Sequence, residues 1–244
     1  MKPALQENHP IAPAGWHAFR QGGALAAAIN QQLVPWWQQI FGYYLLQVGN
    51  LSCQLDTTSA RLRHHISVSP SPEIGPMLLA EPDALPIQSA SIDAVLLSHC
   101  LEFQADPHHV IREAHRVLMA DGYLLVTGFN PYSLLGACQF LPWLKRELPW
   151  QGHFFSASRI KDWLHLVGFE VLSEERFFAS AMVATEFRAG RWQRFSERYL
   201  NYFAANYMLV ARKRELPLTP IRPKWQVQRG YPATQGISAR SGHS

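Results

Sequence analysis

Charge is scarce in this sequence: only 16% of its 244 residues are Asp, Glu, Lys or Arg, while 48% are hydrophobic. That balance excludes a wholly disordered chain, which lacks the apolar material to offset ordering entropy. Long apolar runs are also missing, since no stretch approaches the ~20 residues that cross a bilayer. The first residues, Met1 to Pro13, carry Glu7, Asn8 and prolines where a secretory signal needs an apolar run. Membrane insertion is therefore not expected, and the chain reads as soluble and cytoplasmic. Cysteine is rare. Cys53, Cys100 and Cys138 are odd in number and widely spaced, so they fit neither a disulfide framework nor a CxxC zinc pattern and read as buried free thiols.

Acidic residues are almost absent from the last segment. Arg212, Lys213, Arg214, Arg222, Lys224, Arg229 and Arg240 face only Glu215 there, so the net charge of +4 belongs to a tail. The rest is nearly balanced. Residues 215–244 are rich in proline, glycine and arginine without aliphatic pattern, the composition of a disordered basic tail.

What is present alternates between helix and strand. Leu25, Ile29 and Leu33 recur every four residues in an alanine-rich stretch, predicting a helix. Trp36, Trp37, Ile40 and Phe41 follow Pro35 and read as a second short helix. Short apolar runs at 43–48, 63–69 and 77–80 read as strands, and Ile92–Ser98 is the run a buried parallel strand requires. Asp106 and Pro107 open an amphipathic helix whose stripe is Val110, Ile111, Ala114, Val117 and Leu118. Asp121-Gly122 turns into a strand at 123–127. Ser156 caps a helix carrying Ile160, Trp163, Leu164 and Val167, and Gly168 ends it. Strands follow at 169–172 and 207–211. This alternation predicts an α/β fold with a mostly parallel sheet and helices on both faces. We divide the chain into a helical lead (1–42), a main domain (43–214) with inserts at 129–155 and 177–205, and the tail (215–244).

Several words in the main domain occur in a fixed order. They are Glu81-Pro82-Asp83-Ala84-Leu85-Pro86, Ser91-Ile92-Asp93-Ala94-Val95, Leu101-Glu102-Phe103 with Asp106-Pro107, and Arg116-Val117-Leu118 leading to Asp121-Gly122. In order and spacing they resemble the type 11 branch of the class I S-adenosylmethionine (SAM)-dependent methyltransferases. The resemblance is tightest over 80–131 and extends more loosely over 43–214. It implies a Rossmann-like seven-stranded, mostly parallel sheet flanked by helices, SAM as cofactor and transfer of a methyl group to an acceptor. By position in the family pattern, Gln47, Gly49 and Asn50 form the cofactor loop, Ser67 takes the ribose position, and Asp83, Ala84 and Leu85 the adenine position. Ser98 and His99 then face the methionine portion and the acceptor.

Two departures stand out. The family loop reads acidic-x-Gly-x-Gly-x-Gly, and here it is Gln47-Val48-Gly49-Asn50-Leu51-Ser52, with one glycine left. The ribose-binding acid is Ser67, which cannot offer a charged, bidentate acceptor. Both predict weakened cofactor affinity.

His99 is the candidate catalytic base, because imidazole titrates near neutrality. A histidine hydrogen-bonded locally after a strand is the alternative. Glu102 reads as a structural contact. The pairs His64-His65 and His108-His109 point apart on a strand or helix, so no metal is assigned. His153, Phe154, Phe155, Trp143 and Trp150 read as an acceptor lid or a cover over the sheet edge. Arg188, Arg191, Arg194 and Arg198 predict a helix with a basic face. Three functions remain open: a methyltransferase acting on a small-molecule acceptor, an inactive methyltransferase-like binding or regulatory module, and an RNA-binding protein or RNA methyltransferase, which the local charge does not favour. Oligomeric state is not legible.

Overall fold

The computed structural model describes residues 12–19, 21–133, 151–177 and 204–215. The basic tail beyond Glu215, the arginine-bearing stretch 178–203 and the aromatic stretch 134–150 lie outside the described residues.

Seven strands form one sheet in the order β3-β2-β1-β4-β5-β7-β6. In chain order they are β1 (Phe41–Val48), β2 (Arg61–Ser69), β3 (Leu78–Leu79), β4 (Ile92–Ser98), β5 (Leu118–Phe129), β6 (Phe169–Phe177) and β7 (Asn206–Lys213). β3, β2, β1, β4 and β5 pair in parallel, and β7 runs antiparallel between β5 and β6. Central β4 is a near-continuous apolar run with buried neighbours on both sides, as a strand covered on two faces must be.

Helices cover the two faces unequally. α1 (Gly22–Trp37) buries Leu25, Ile29, Leu33 and Trp37 on one face, against Leu45, Ala94, Leu96 and Leu125. The short helix expected after Pro35 does not exist on its own. Trp37 continues the four-residue stripe, so Pro35 is carried inside the last turn of α1 and Phe41 already belongs to β1. On the other face lie α2 (Pro107–Val117) and α3 (Ala157–Val167), packed on Val95, Leu97, Leu124 and Val126.

Both caps expected from sequence are made. The Asp106 carboxylate accepts from the His109 amide at 3.1 Å, the Ser156 hydroxyl from the Arg159 amide at 3.3 Å. Gly168 ends α3 in the left-handed conformation, φ +106°. No helix among the described residues is long and apolar enough to cross a membrane.

One feature differs from a fully wound sheet. The connections β1–β2, β2–β3 and β3–β4 hold no α-helix, only 3-10 turns at Ser52–Gln54 and Pro72–Ile74. Their sequences lack a 3.6-residue apolar stripe and carry turn formers instead. The β1–β2–β3 side of the sheet is therefore thinly covered, and Tyr43, Met77 and Leu79 are exposed.

Candidate functional site

Strand order reverses between β1 and β4, and ligands of open α/β sheets sit in the crevice at the carboxyl ends of such strands. A small cleft, partly open to solvent, lies there and encloses about 20 Å³. Gly49, Asn50 and Leu51 line it after β1, Pro70 after β2, Pro82 after β3, Ser98 at the end of β4, and His99, Cys100, Phe103 and Gln104 beyond it. Ala12 and Pro13 of the lead close the remaining side.

The loop after β1 turns at Gly49, whose φ is +90°. A Cβ there would stand 3.0 Å from Cys100 Sγ, so this glycine supplies both a conformation and a close approach. Asn50 and Leu51 have acquired structural duties. The Asn50 side-chain amide donates to Pro13 O at 2.9 Å, and its oxygen accepts from Ser69 Oγ at 2.6 Å. Leu51 is buried, and its carbonyl accepts from Trp16 Nε1 at 3.1 Å. Gln54 completes the strap: it accepts from the Trp16 amide at 3.2 Å and donates to Ala14 O at 3.1 Å.

The structure brings Gly49, Asn50, Ser98 and His99 around this cleft. The other residues singled out in the sequence lie outside its lining. Gln47 is buried and donates to Ser52 O and Leu55 O at 2.9 and 3.3 Å. The Ser67 hydroxyl accepts from the Met77 amide at 2.9 Å. Leu85 is buried, with its amide on Glu113, while Ala84 is exposed and Asp83 half-buried. Burial pushes the Cys100 thiol far up, and the carboxylates of Glu102, Glu81 and Asp83 add to that shift. Cys53 is pushed up to about 11, also by burial, so both thiols stay protonated and unreactive.

His99 follows β4 with φ +45°, left-handed and uncommon for a residue with a side chain. Its ring is fully buried, 4.0 Å from the Phe129 ring and 5.8 Å from the Trp16 ring, centroid to centroid. Its Nδ1 lies 3.2 Å from Glu102 Oε1, which also accepts from the Phe129 amide at 2.9 Å. Behind it, Ser98 Oγ meets Thr127 Oγ1 at 2.9 Å. Sequence reasoning missed Pro13 and Trp16, because no local pattern reports which distant loop a lead will cover.

The other histidine pairs have ordinary tasks. His64 stacks on Tyr44, His65 Nδ1 meets Thr57 Oγ1 at 2.9 Å, and His108 packs on Trp163. No group of three metal-ligating side chains occurs among the described residues. Phe154 and Phe155 pack on Phe129 and Trp163 and do not line the cleft.

Comparison with known proteins agrees with this geometry. Residues 43–126 match the family model described as a methyltransferase domain. The chain is 34% identical to Escherichia coli (strain K12) YafS, described as an uncharacterized protein, over 90% of this chain and 88% of that one. Among solved structures, a SAM-dependent methyltransferase from Thermotoga maritima superposes with TM-score 0.55 at 19% identity, covering 82% of this chain and all of that one. One from Archaeoglobus fulgidus gives 0.53 at 14%, covering 76% and 93%. The [4+2]-cyclase SpnF gives 0.54 at 20%, covering 86% and 88%. At such identities these structures speak for the fold.

Proposed function

The chain belongs to the class I SAM-dependent methyltransferases, type 11 branch, and from that premise we propose that the cleft between β1 and β4 binds SAM and directs its methyl group to a small-molecule acceptor. The observation that carries the reading is the turn after β1 at the switch point of the sheet, where Gly49 stands at φ +90°. The cradle at Gly49 also fits, since the one retained glycine is the one whose Cβ would close on Cys100.

In this reading the backbone of Gly49 and Asn50 holds the amino-acid end, Asp83, Ala84 and Leu85 flank the adenine, and Ser98 borders the methionine chain. Gln47 and Ser67 act through the backbone, holding the loops after β1 and β2. No acid stands at the ribose position, so affinity falls below that of a full loop. The cofactor supplies an activated methyl group. His99 is the base for an acceptor that must lose a proton, and the burial around Trp16 and Phe129 excludes water. We take 43–214 as the catalytic domain, with 1–42 as a lead that closes its site and 215–244 as an appended tail.

A second reading has its own support. The polar groups of Gln47, Asn50 and Ser67 are all engaged within the protein, and the cleft encloses only about 20 Å³, far below the ~300–1,000 Å³ of common ligand pockets. Both favour a catalytically inactive methyltransferase-like module that no longer holds SAM and serves in binding or regulation. The likeness to a cyclase is a reminder that function resides in the site and not the fold. An RNA function would rest on residues outside the described ones. Calorimetric titration with SAM and S-adenosylhomocysteine separates the two readings. Micromolar affinity supports the enzyme, and no binding at millimolar ligand by folded protein supports the inactive module.

A further inference from the structure

Among the described residues, the His99 ring is hydrogen-bonded at one nitrogen only. Its Nδ1 faces Glu102 Oε1 at 3.2 Å, and that oxygen is fixed independently by the Phe129 amide at 2.9 Å. A carboxylate can only accept, so the proton of this contact sits on Nδ1, and a neutral ring keeps its lone pair on Nε2. That nitrogen finds no partner among the described residues, and neither does Glu102 Oε2. Both residues are almost wholly buried, His99 at 1% exposure and Glu102 at 2%. The backbone of His99 is also held at φ +45°. A left-handed histidine with a bare buried nitrogen, in the wall of a cleft, is the combination of local costs found at functional sites.

We infer that Glu102 is a positioning residue for His99: it fixes the ring as the Nδ1–H tautomer and leaves the Nε2 lone pair free for the acceptor's proton. The inference rests on the methyltransferase reading and extends it to the kind of acceptor, a nucleophile that carries O–H or N–H. As the acceptor's lone pair forms its bond to the methyl carbon, the carbon–sulfur bond breaks and its electron pair stays on sulfur. The acceptor's proton passes to Nε2, and the Glu102 carboxylate balances the resulting imidazolium. A cap on the Phe129 amide alone would not require Nδ1 to face the same oxygen.

The test is nitrogen NMR of the full-length protein with labelled histidine rings, with and without S-adenosylhomocysteine. His99→Asn, which tolerates the left-handed backbone, identifies the His99 signals by their loss. The wild type is expected to show a protonated Nδ1 and an unprotonated Nε2 at neutral pH. Glu102→Gln keeps an acceptor oxygen and should keep that tautomer. Glu102→Met removes the acceptor and should shift the ring toward Nε2–H. A wild-type ring protonated at Nε2, as the other tautomer or as imidazolium, overturns the assignment without any variant. So does an unchanged tautomer in folded Glu102→Met. Calorimetry on the same samples keeps the two claims apart. Absent S-adenosylhomocysteine binding with an intact Nδ1–H tautomer overturns the methyltransferase reading, and binding with Nε2–H overturns only the role of Glu102.

Discussion

Arg116 and Glu113, three residues apart on α2, form a two-point pair, Nε to Oε1 at 2.9 Å and Nη2 to Oε2 at 2.8 Å. The same guanidinium donates to Leu85 O, Ile87 O and Ser89 Oγ, and Glu113 Oε2 accepts the Leu85 amide at 3.2 Å. The pair thus staples the loop after β3 to α2. Arg-Val-Leu, one of the words that carries the family resemblance, therefore has a mechanical meaning. It holds still the segment that presents Asp83.

Arg116→Met should cost about 2 kcal/mol, because it removes several charge-assisted bonds at a partly exposed site. The pH dependence gives a sharper signature. The Arg116 hydrogen bond holds the Glu113 carboxyl below its ordinary value. A depressed folded pKa means this stabilisation is complete above the unfolded pKa of ~4.3 and is lost as pH falls through the folded value. Urea unfolding at neutral pH and near pH ~3 checks it. The gap between wild type and Arg116→Met should shrink at the acid end, and a constant gap would contradict the pairing.

Gly49→Ala places a Cβ 3.0 Å from Cys100 Sγ on a backbone at φ +90°. The conformational penalty alone is about 1 kcal/mol or more. The loop must shift or the strand end must yield. The expected result is a Tm lower by several degrees together with weaker S-adenosylhomocysteine binding, whereas a full Tm with unchanged affinity would remove Gly49 from the site.

Much of the fold was legible because burial writes itself into sequence. β4 matched its expected bounds at both ends, Ile92 and Ser98, since a strand enclosed on both faces must be apolar throughout. α2 and α3 were marked by Asp106, Ser156 and Gly168, each acting within a few residues of its own position. β6 was expected over 169–172 and runs to Phe177, because its outer half reads polar while pairing with β7 along its length. The site was harder to read. Asn50 stands where a family loop turns toward its ligand, yet its side chain is spent on Pro13 and Ser69. The His99–Glu102 contact also needed the left-handed turn after β4 to bring the two together. The partners of Asn50 are chosen by tertiary contacts, which spacing does not encode.

Trp16 is buried, donates Nε1 to Leu51 O and lies edge-on to His99. Trp16→Ala should cost about 3 kcal/mol from lost packing and the unpaired carbonyl. It should also uncover His99. Diethyl pyrocarbonate with mass spectrometry reads this directly: His99 stays unmodified in the wild type and reacts in the variant. Trp16→Phe, which keeps most of the packing, should protect it nearly as well. Equal protection in folded Trp16→Ala would show that the lead does not seal the cleft.

Asp83 is half-buried on the stapled loop after β3, and its charge reaches Cys100 in the cleft wall. Removing it costs the fold little, since substitutions away from packed or paired groups stay within roughly 0.5 kcal/mol. Its loss should be felt by the ligand instead. If Asp83 accepts a hydrogen bond from the adenine, or supplies part of the negative field on a sulfonium, Asp83→Ala weakens binding about tenfold, the worth of one charged hydrogen bond. The two contributions separate by ligand, because S-adenosylhomocysteine keeps the adenine and lacks the positive sulfur. A loss shared by both ligands marks the adenine contact, and a loss confined to SAM marks the field. Unchanged dissociation constants for both would remove Asp83 from the site.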